Sequence, residues 1–177
     1  MTAGLPLAHS YNLARLGNAG DKVAITADET QRAAIAKWSG VLSLEKFEAG
    51  IEIRKLGPSR FGLEFALDAA VTQACVVTLE PVPARLERRF TRELHFIGPA
   101  RHKPVTDDSG PDLVLDSAEE EGPEEIESLH YDLAGPVLEE YVLSLDPYPR
   151  RPGVEFAPQT GPSDRPESPF AVLKSLK

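Results

Sequence analysis

Cysteine, methionine and tryptophan each occur once in this chain, and aromatic residues make up only 7% of its 177 positions. The lone Cys75 excludes an internal disulfide and any multi-cysteine metal site, which suits a reducing compartment. No apolar run approaches the roughly 20 residues that span a bilayer, so no membrane partner is expected. The opening MTAGLPLAHSYNL lacks a basic stretch followed by a long apolar one and a small-residue cleavage site. No secretory signal is read there, and a cytoplasmic location is expected. Motifs for chemistry are missing as well. The four histidines, His9, His95, His102 and His130, lie far apart, and no HExxH, CxxC, phosphate-loop or dinucleotide-loop spacing occurs. Ser128 beside His130 reads as polar residues at a strand start, because nucleophiles are recognised by geometry. No catalytic, cofactor-binding or metal-ligating residue is assigned, no small-molecule substrate is expected, and a hydrolase or ribonuclease ranks behind every binding role.

What is present is the composition of an ordinary globular protein, 41% hydrophobic and 27% charged, long enough for one domain with a real core plus tails. The net charge of −9 is unevenly placed: residues 1–103 carry +3, residues 104–149 carry −14 and residues 150–177 carry +2. The acidity therefore sits in one block, and the N-terminal portion is free to present a cationic surface.

Thr26-Ala27-Asp28-Glu29 fits a capping box with Thr26 as cap and Glu29 reaching back, which predicts a helix over about 27–38. Ala27, Ala34, Ile35 and Trp38 fall near one face of it, and Ser39-Gly40 supplies a left-handed stop. From Phe47 the period becomes alternating, with Phe47, Ala49, Ile51 and Ile53 on one face, then a turn at 57–60, then Phe61, Leu63, Phe65, Leu67, Ala69 and Val71. These two strands predict an antiparallel hairpin. Cys75–Leu79 reads as an extension of the sheet until Pro81 and Pro83, where a break or an edge is expected. A further strand runs from Leu86 to about Ile97. Residues 104–127 are too charged to bury their way to a fold and read as a mobile loop. A short strand follows near 128–131. Asp132 is placed to cap a second helix carrying the stripe Leu133, Val137, Tyr141 and Leu145, with Pro136 in its first turn and Pro147 ending it. The expected fold is α+β, a strongly bent antiparallel sheet packed by two helices, with a disordered acidic insertion and an extended C-terminal tail. Residues 1–150 form the domain, and residues 151–177 form a proline-rich tail ending in the amphipathic motif Phe170, Leu173 and Leu176.

Basic residues are the best functional candidates. Arg85, Arg88, Arg89 and Arg92 lie on one strand, where Arg88 and Arg92 share the face of Phe90 and Arg85 and Arg89 share the other. Arg54 and Lys55 with Arg60 at the hairpin tip, and Arg101 with Lys103 beyond the strand, are candidates to extend a patch. Two uses stand open. Either the arginines hold phosphate while Phe90 stacks on a base, as sheet surfaces do with single-stranded RNA, or Phe90 is core, Arg88 and Arg92 snorkel from the sheet edge, and Arg85 and Arg89 pair with neighbouring glutamates.

Three separated stretches, Gln73 to Val82 (QACVVTLEPV), His130 to Gly153 (HYDLAGPVLEEYVLSLDPYPRRPG) and Ser168 to Lys177 (SPFAVLKSLK), stand in the order and spacing of one family. Together, and from about Ala27 onward, they make the chain similar to the YceD family, the large-ribosomal-RNA-subunit accumulation proteins of bacteria and plastids. The resemblance implies a non-catalytic role in accumulation, processing or assembly of 23S ribosomal RNA, with the RNA precursor, a basic ribosomal protein, or both as partners. A protein–protein adaptor without RNA contact is the alternative. Within that frame the acidic block is either a nucleic-acid mimic, a contact for a basic ribosomal protein, or a solubilising loop. Phe170, Leu173 and Leu176 either enter a partner's groove or dock on their own domain. Many relatives carry a C-x-x-C pair suited to zinc where this chain has Cys75 and Thr78, so metal binding is not carried over and no cofactor is expected. Cys75 is expected as a small buried residue on a strand.

Overall fold

A computed structural model describes residues 4–98 and 122–154. The described elements run, in chain order, β1 (Ser10–Asn12), a 3-10 turn (Leu13–Arg15), β2 (Asp21–Thr26), α1 (Glu29–Ser39), β3 (Ser43–Lys55), β4 (Arg60–Ala74), β5 (Pro81–Phe96), β6 (Glu124–Ile126), β7 (His130–Asp132) and α2 (Ala134–Ser144). The main sheet has the order β2-β3-β4-β5-β6, and β1 pairs with β7 in a second, two-stranded sheet. All pairings are antiparallel except β5 with β6, which is parallel over Leu94–Phe96. The α+β class is as expected from the sequence, with a mixed rather than purely antiparallel main sheet.

The alternating residues do what their period requires. Phe47, Ala49, Ile51, Ile53, Phe61, Leu63, Phe65, Leu67, Ala69 and Val71 are all buried on one face of the sheet. A bulge between Leu44 and Lys46 lets Leu44 join that face out of phase. The helices cover this face through Ile35 and Ala36 of α1 and Val137, Leu138 and Tyr141 of α2. Phe47 and Tyr141 meet edge to face, their ring centroids 5.5 Å apart. Among the described residues, no helix or strand packs on the opposite face, which is lined by exposed and half-buried polar and small side chains.

Several expectations are corrected. The α1 cap is Asp28, not Thr26: Asp28 Oδ1 accepts from the Gln31 amide at 2.8 Å and Gln31 Oε1 accepts from the Asp28 amide at 2.9 Å. Thr26 is held in β2 opposite Glu48, so its backbone is not free to start a helix. Ala34 and Trp38 lie on the exposed side of α1, while Gly40 ends the helix at φ 73 as expected. Cys75–Leu79 is a turn, not a strand. Pro81 and Pro83 lie within β5 and do not break it, while the expected edge is present, since the described outer neighbour, β6, reaches only Leu94–Phe96. Glu124–Ile126, expected within the mobile loop, pairs as a strand. Asp132 acts one residue before the α2 cap, Leu133, accepting from the amides of His9 at 2.7 Å and Ala134 at 3.1 Å. The rest of the acidic block (residues 104–121), Arg101, Lys103 and the tail bearing Phe170, Leu173 and Leu176 lie outside the described residues.

Candidate nucleic-acid interface

Strand β5 sorts its arginines by parity. Leu86 and Leu94 are buried, so even positions face the helices and odd positions face the bare side of the sheet. Phe90 is accordingly half-buried on the helix side, stacked on Phe65 with centroids 4.6 Å apart, and is no open platform for a base. Arg92 reaches Glu139 of α2 and lies 3.9 Å from Glu124 of β6. Arg88 donates to Ser144 Oγ at 3.0 Å. Both edge arginines are therefore bound to the packed side, much as the snorkelling alternative describes.

The bare face is a lattice of ion pairs. Lys22 and Arg54 hold Glu52 at 2.7 and 3.1 Å, and Arg54 also reaches Glu64 at 3.4 Å. Lys46 holds Asp68 at 2.8 Å and Glu48 at 3.1 Å. Arg85 holds Asp68 and Glu87, each at 3.0 Å, and Arg60 holds Glu93 at 2.6 Å. Hydrogen bonds from Lys46 and then Arg85 hold the Asp68 carboxyl below its usual range, and those from Lys22 and Arg54 do the same for Glu52. Each pair is solvated and contributes little to stability, and the five cations share six carboxylates, so no positive charge is left over within the lattice. Arg89 differs. It is exposed, sits opposite Ala66, and among the described residues makes no ion pair or hydrogen bond.

Arg54, Arg60, Arg85 and Arg89 thus share one face, Arg88 and Arg92 belong to the other, and Lys55 stands at the hairpin tip opposite Phe61. Lys55 is five residues from Gly50, the residue in line with Arg89, or about 16 Å along the strand, and the patch is not continuous. Sequence reasoning missed Lys22 and Lys46, and with them the row Ala24, Gly50, Ala66 and Arg89 that runs straight across four strands. Only the pairing register reveals that row, since its members are far apart in the chain.

The second built feature is the turn after β4. The Cys75 amide donates to the Glu80 carbonyl at 2.8 Å, the Leu79 amide donates to the Cys75 carbonyl at 2.9 Å, and Leu79 takes φ 62 to allow it. The α2 end is clamped to this turn by Val76 N–H donating to Pro149 O at 2.9 Å and by the Arg151–Glu80 pair at 2.6 Å. Cys75 is buried, as expected, but in a turn and not on a strand. The Thr78 hydroxyl, then the amides of Arg151, Thr78 and Val77, pull the thiol down to about 6. One sulfur and a neutral hydroxyl do not make a zinc donor set, and among the described residues no three His, Cys, Asp or Glu side chains gather where they could hold a metal.

This thiol has a pH signature. Its folded value of about 6 lies below the ordinary 9.0, so between these limits the unfolded chain holds a proton that the folded chain has lost. The stabilisation is complete above the ordinary value and is lost as pH falls through about 6. Thermal melts of wild type and Cys75→Ser should therefore converge on acidification across this window. A constant difference in Tm would show that the thiol does not titrate there.

The family model described as Large ribosomal RNA subunit accumulation protein YceD matches residues 63–177. The match begins within β4, later than the resemblance read from about Ala27. No curated protein and no solved structure matches the chain.

Proposed function

Because the chain belongs to the YceD family of large ribosomal RNA subunit accumulation proteins, we propose that it supports accumulation of that RNA by binding it without chemistry, through the bare face of the main sheet. The observation that carries this reading is Arg89, the one basic residue of that face that makes no ion pair among the described residues. Its partner in such contacts is Lys22, whose surface pair with Glu52 is readily exchanged for a phosphate. A second reading, an adaptor that grips a basic ribosomal protein, is favoured by the net charge of −9 and by the neutralisation of Arg85 and Arg92.

Salt dependence separates these contact sets. For single strands log K falls with log salt with a slope of about −0.7 per phosphate neutralised, so contacts at Arg89 and Lys22 should give about −0.7 to −1.4. The full run of four arginines would give about −2.8. Anisotropy titrations of single-stranded RNA at several salt concentrations measure this slope. A value near the steeper figure would return Arg85, Arg88 and Arg92 to the interface, and no binding at low salt would leave the adaptor reading.

A further inference from the structure

Exposed apolar side chains gather where the turn after β4 is clamped to the end of α2. Ten large hydrophobic residues are exposed among the described residues, and five of them, Val76, Leu79, Val142, Leu143 and Tyr148, belong to these two segments. Leu79, Leu143 and Tyr148 are the most open of the ten, at 77%, 75% and 70%. The bond from the Val76 amide to Pro149 O sets Tyr148 beside the turn, and the Gln73 side chain fixes the same stretch by donating to Asp146 O at 2.9 Å. Leu79 holds its side chain out from a left-handed backbone, a conformation that strains a leucine and that a glycine would take freely. A monomer rarely leaves such a cluster open to water, so the corner marks a contact surface.

We propose that the chain's own C-terminal segment covers this corner, with Phe170, Leu173 and Leu176 packed against Leu79, Tyr148 and Leu143. Three observations choose this occupant. The first is where the chain leaves. Arg151 is tied to Glu80 of the turn, and the Val154 amide donates to Arg151 O at 3.2 Å, so the last described residue hangs from the corner itself. Phe170 is 16 positions further on, and a coil of that length spans about 20–24 Å on average. A tether of this reach sets an effective concentration of about the millimolar level, ahead of any free competitor. The second is sequence. Between Val154 and Phe170 the residues are mostly proline or polar, whereas Phe170, Leu173 and Leu176 recur at a spacing that puts them on one side of a helix. The third is charge. The last turn of α2 carries no basic residue, and Lys174 and Lys177 supply the cations that its carboxyl end favours. This docking goes beyond the RNA reading and uses none of the residues of the bare face.

Amide exchange of the full chain tests it. Burying even one leucine-sized side chain shifts a docking equilibrium by about tenfold or more. In the double variant Phe170→Ser/Leu173→Ser the Val76 amide, which lies under the proposed contact, should therefore exchange at least about tenfold faster than in wild type. Leu79 is exposed, so Leu79→Ser leaves the core untouched, and in that background the tail substitutions should add nothing. Exchange at the wild-type rate in the double variant overturns the proposal, and it is the result expected if the segment serves only a separate protein. A full tenfold effect that persists in the Leu79→Ser background places the segment elsewhere and overturns the corner. Protection that appears only at high protein concentration, with a dimer in sedimentation, puts the segment on a second copy and overturns docking on its own domain.

Discussion

Replacing Tyr141 with alanine should destabilise the protein by about 3–5 kcal/mol, the range for removing a large buried aromatic, and lower its Tm by about 6–20 °C. Tyr141 is fully buried and binds three elements to one another. Its ring meets Phe47 of β3 at an interplanar angle of 83°, its backbone belongs to α2, and its hydroxyl lies 3.4 Å from Ser39 Oγ at the end of α1. Ser39 already donates its hydrogen to Ile35 O at 2.9 Å, so Tyr141 is the donor to Ser39. Burial, above all, raises the phenol's pKa and keeps it neutral. Tyr141→Phe removes only this long hydrogen bond and should cost about 1 kcal/mol or less. Calorimetry on both variants is the check. A large loss in Tyr141→Phe would mean that the polar contact, not the packing, holds the helices to the sheet.

The hairpin of β3 and β4 and the stripe on α2 were legible because each is a strict period that one packed face enforces. Other signals were present twice or were cut short by distant contacts. Thr26 with Glu29 and Asp28 with Gln31 both fit a capping box, and pairing of Thr26 with Glu48 decides for the second. The apolar run from Cys75 to Leu79 has strand composition, but the amide of Val76 is drawn to Pro149, more than 70 residues on, and the chain turns. Proline at 81 and 83 argues against a central strand, and here it marks an unpaired edge instead. At the candidate site the parity of the arginines was readable, while their partners were not. Asp68, Glu139 and Ser144 reach Arg85, Arg92 and Arg88 from β4 and α2, and nothing in the local sequence announces them.

Those partners set the second large expectation, a division between two arginines three residues apart. The Arg92 side chain is 36% exposed and lies between Glu139 and Glu124, beside Tyr131, whose hydroxyl donates to Glu124 at 3.1 Å. Burial and the Glu124 carboxylate push the Tyr131 phenol upward, so no neighbouring charge relieves the acids once Arg92 is gone. Arg92→Glu places a third carboxylate in that cluster and loosens β6. A loss of about 1–3 kcal/mol is expected. Arg89→Glu touches no described partner and should change stability by no more than about 0.5 kcal/mol. Converting all four β5 arginines to glutamate confounds the two effects, because a weakened β5 edge would also shed RNA.

Arg89→Glu alone is therefore the decisive variant, read by sedimentation of the full chain with large-subunit precursors before and after ribonuclease treatment. Wild type should travel with the precursors and be released by ribonuclease, while Arg89→Glu, folded and as heat-resistant as wild type, stays at the top of the gradient. Co-sedimentation of Arg89→Glu at the wild-type level, or association that survives ribonuclease, would contradict direct RNA contact through the bare face of the sheet.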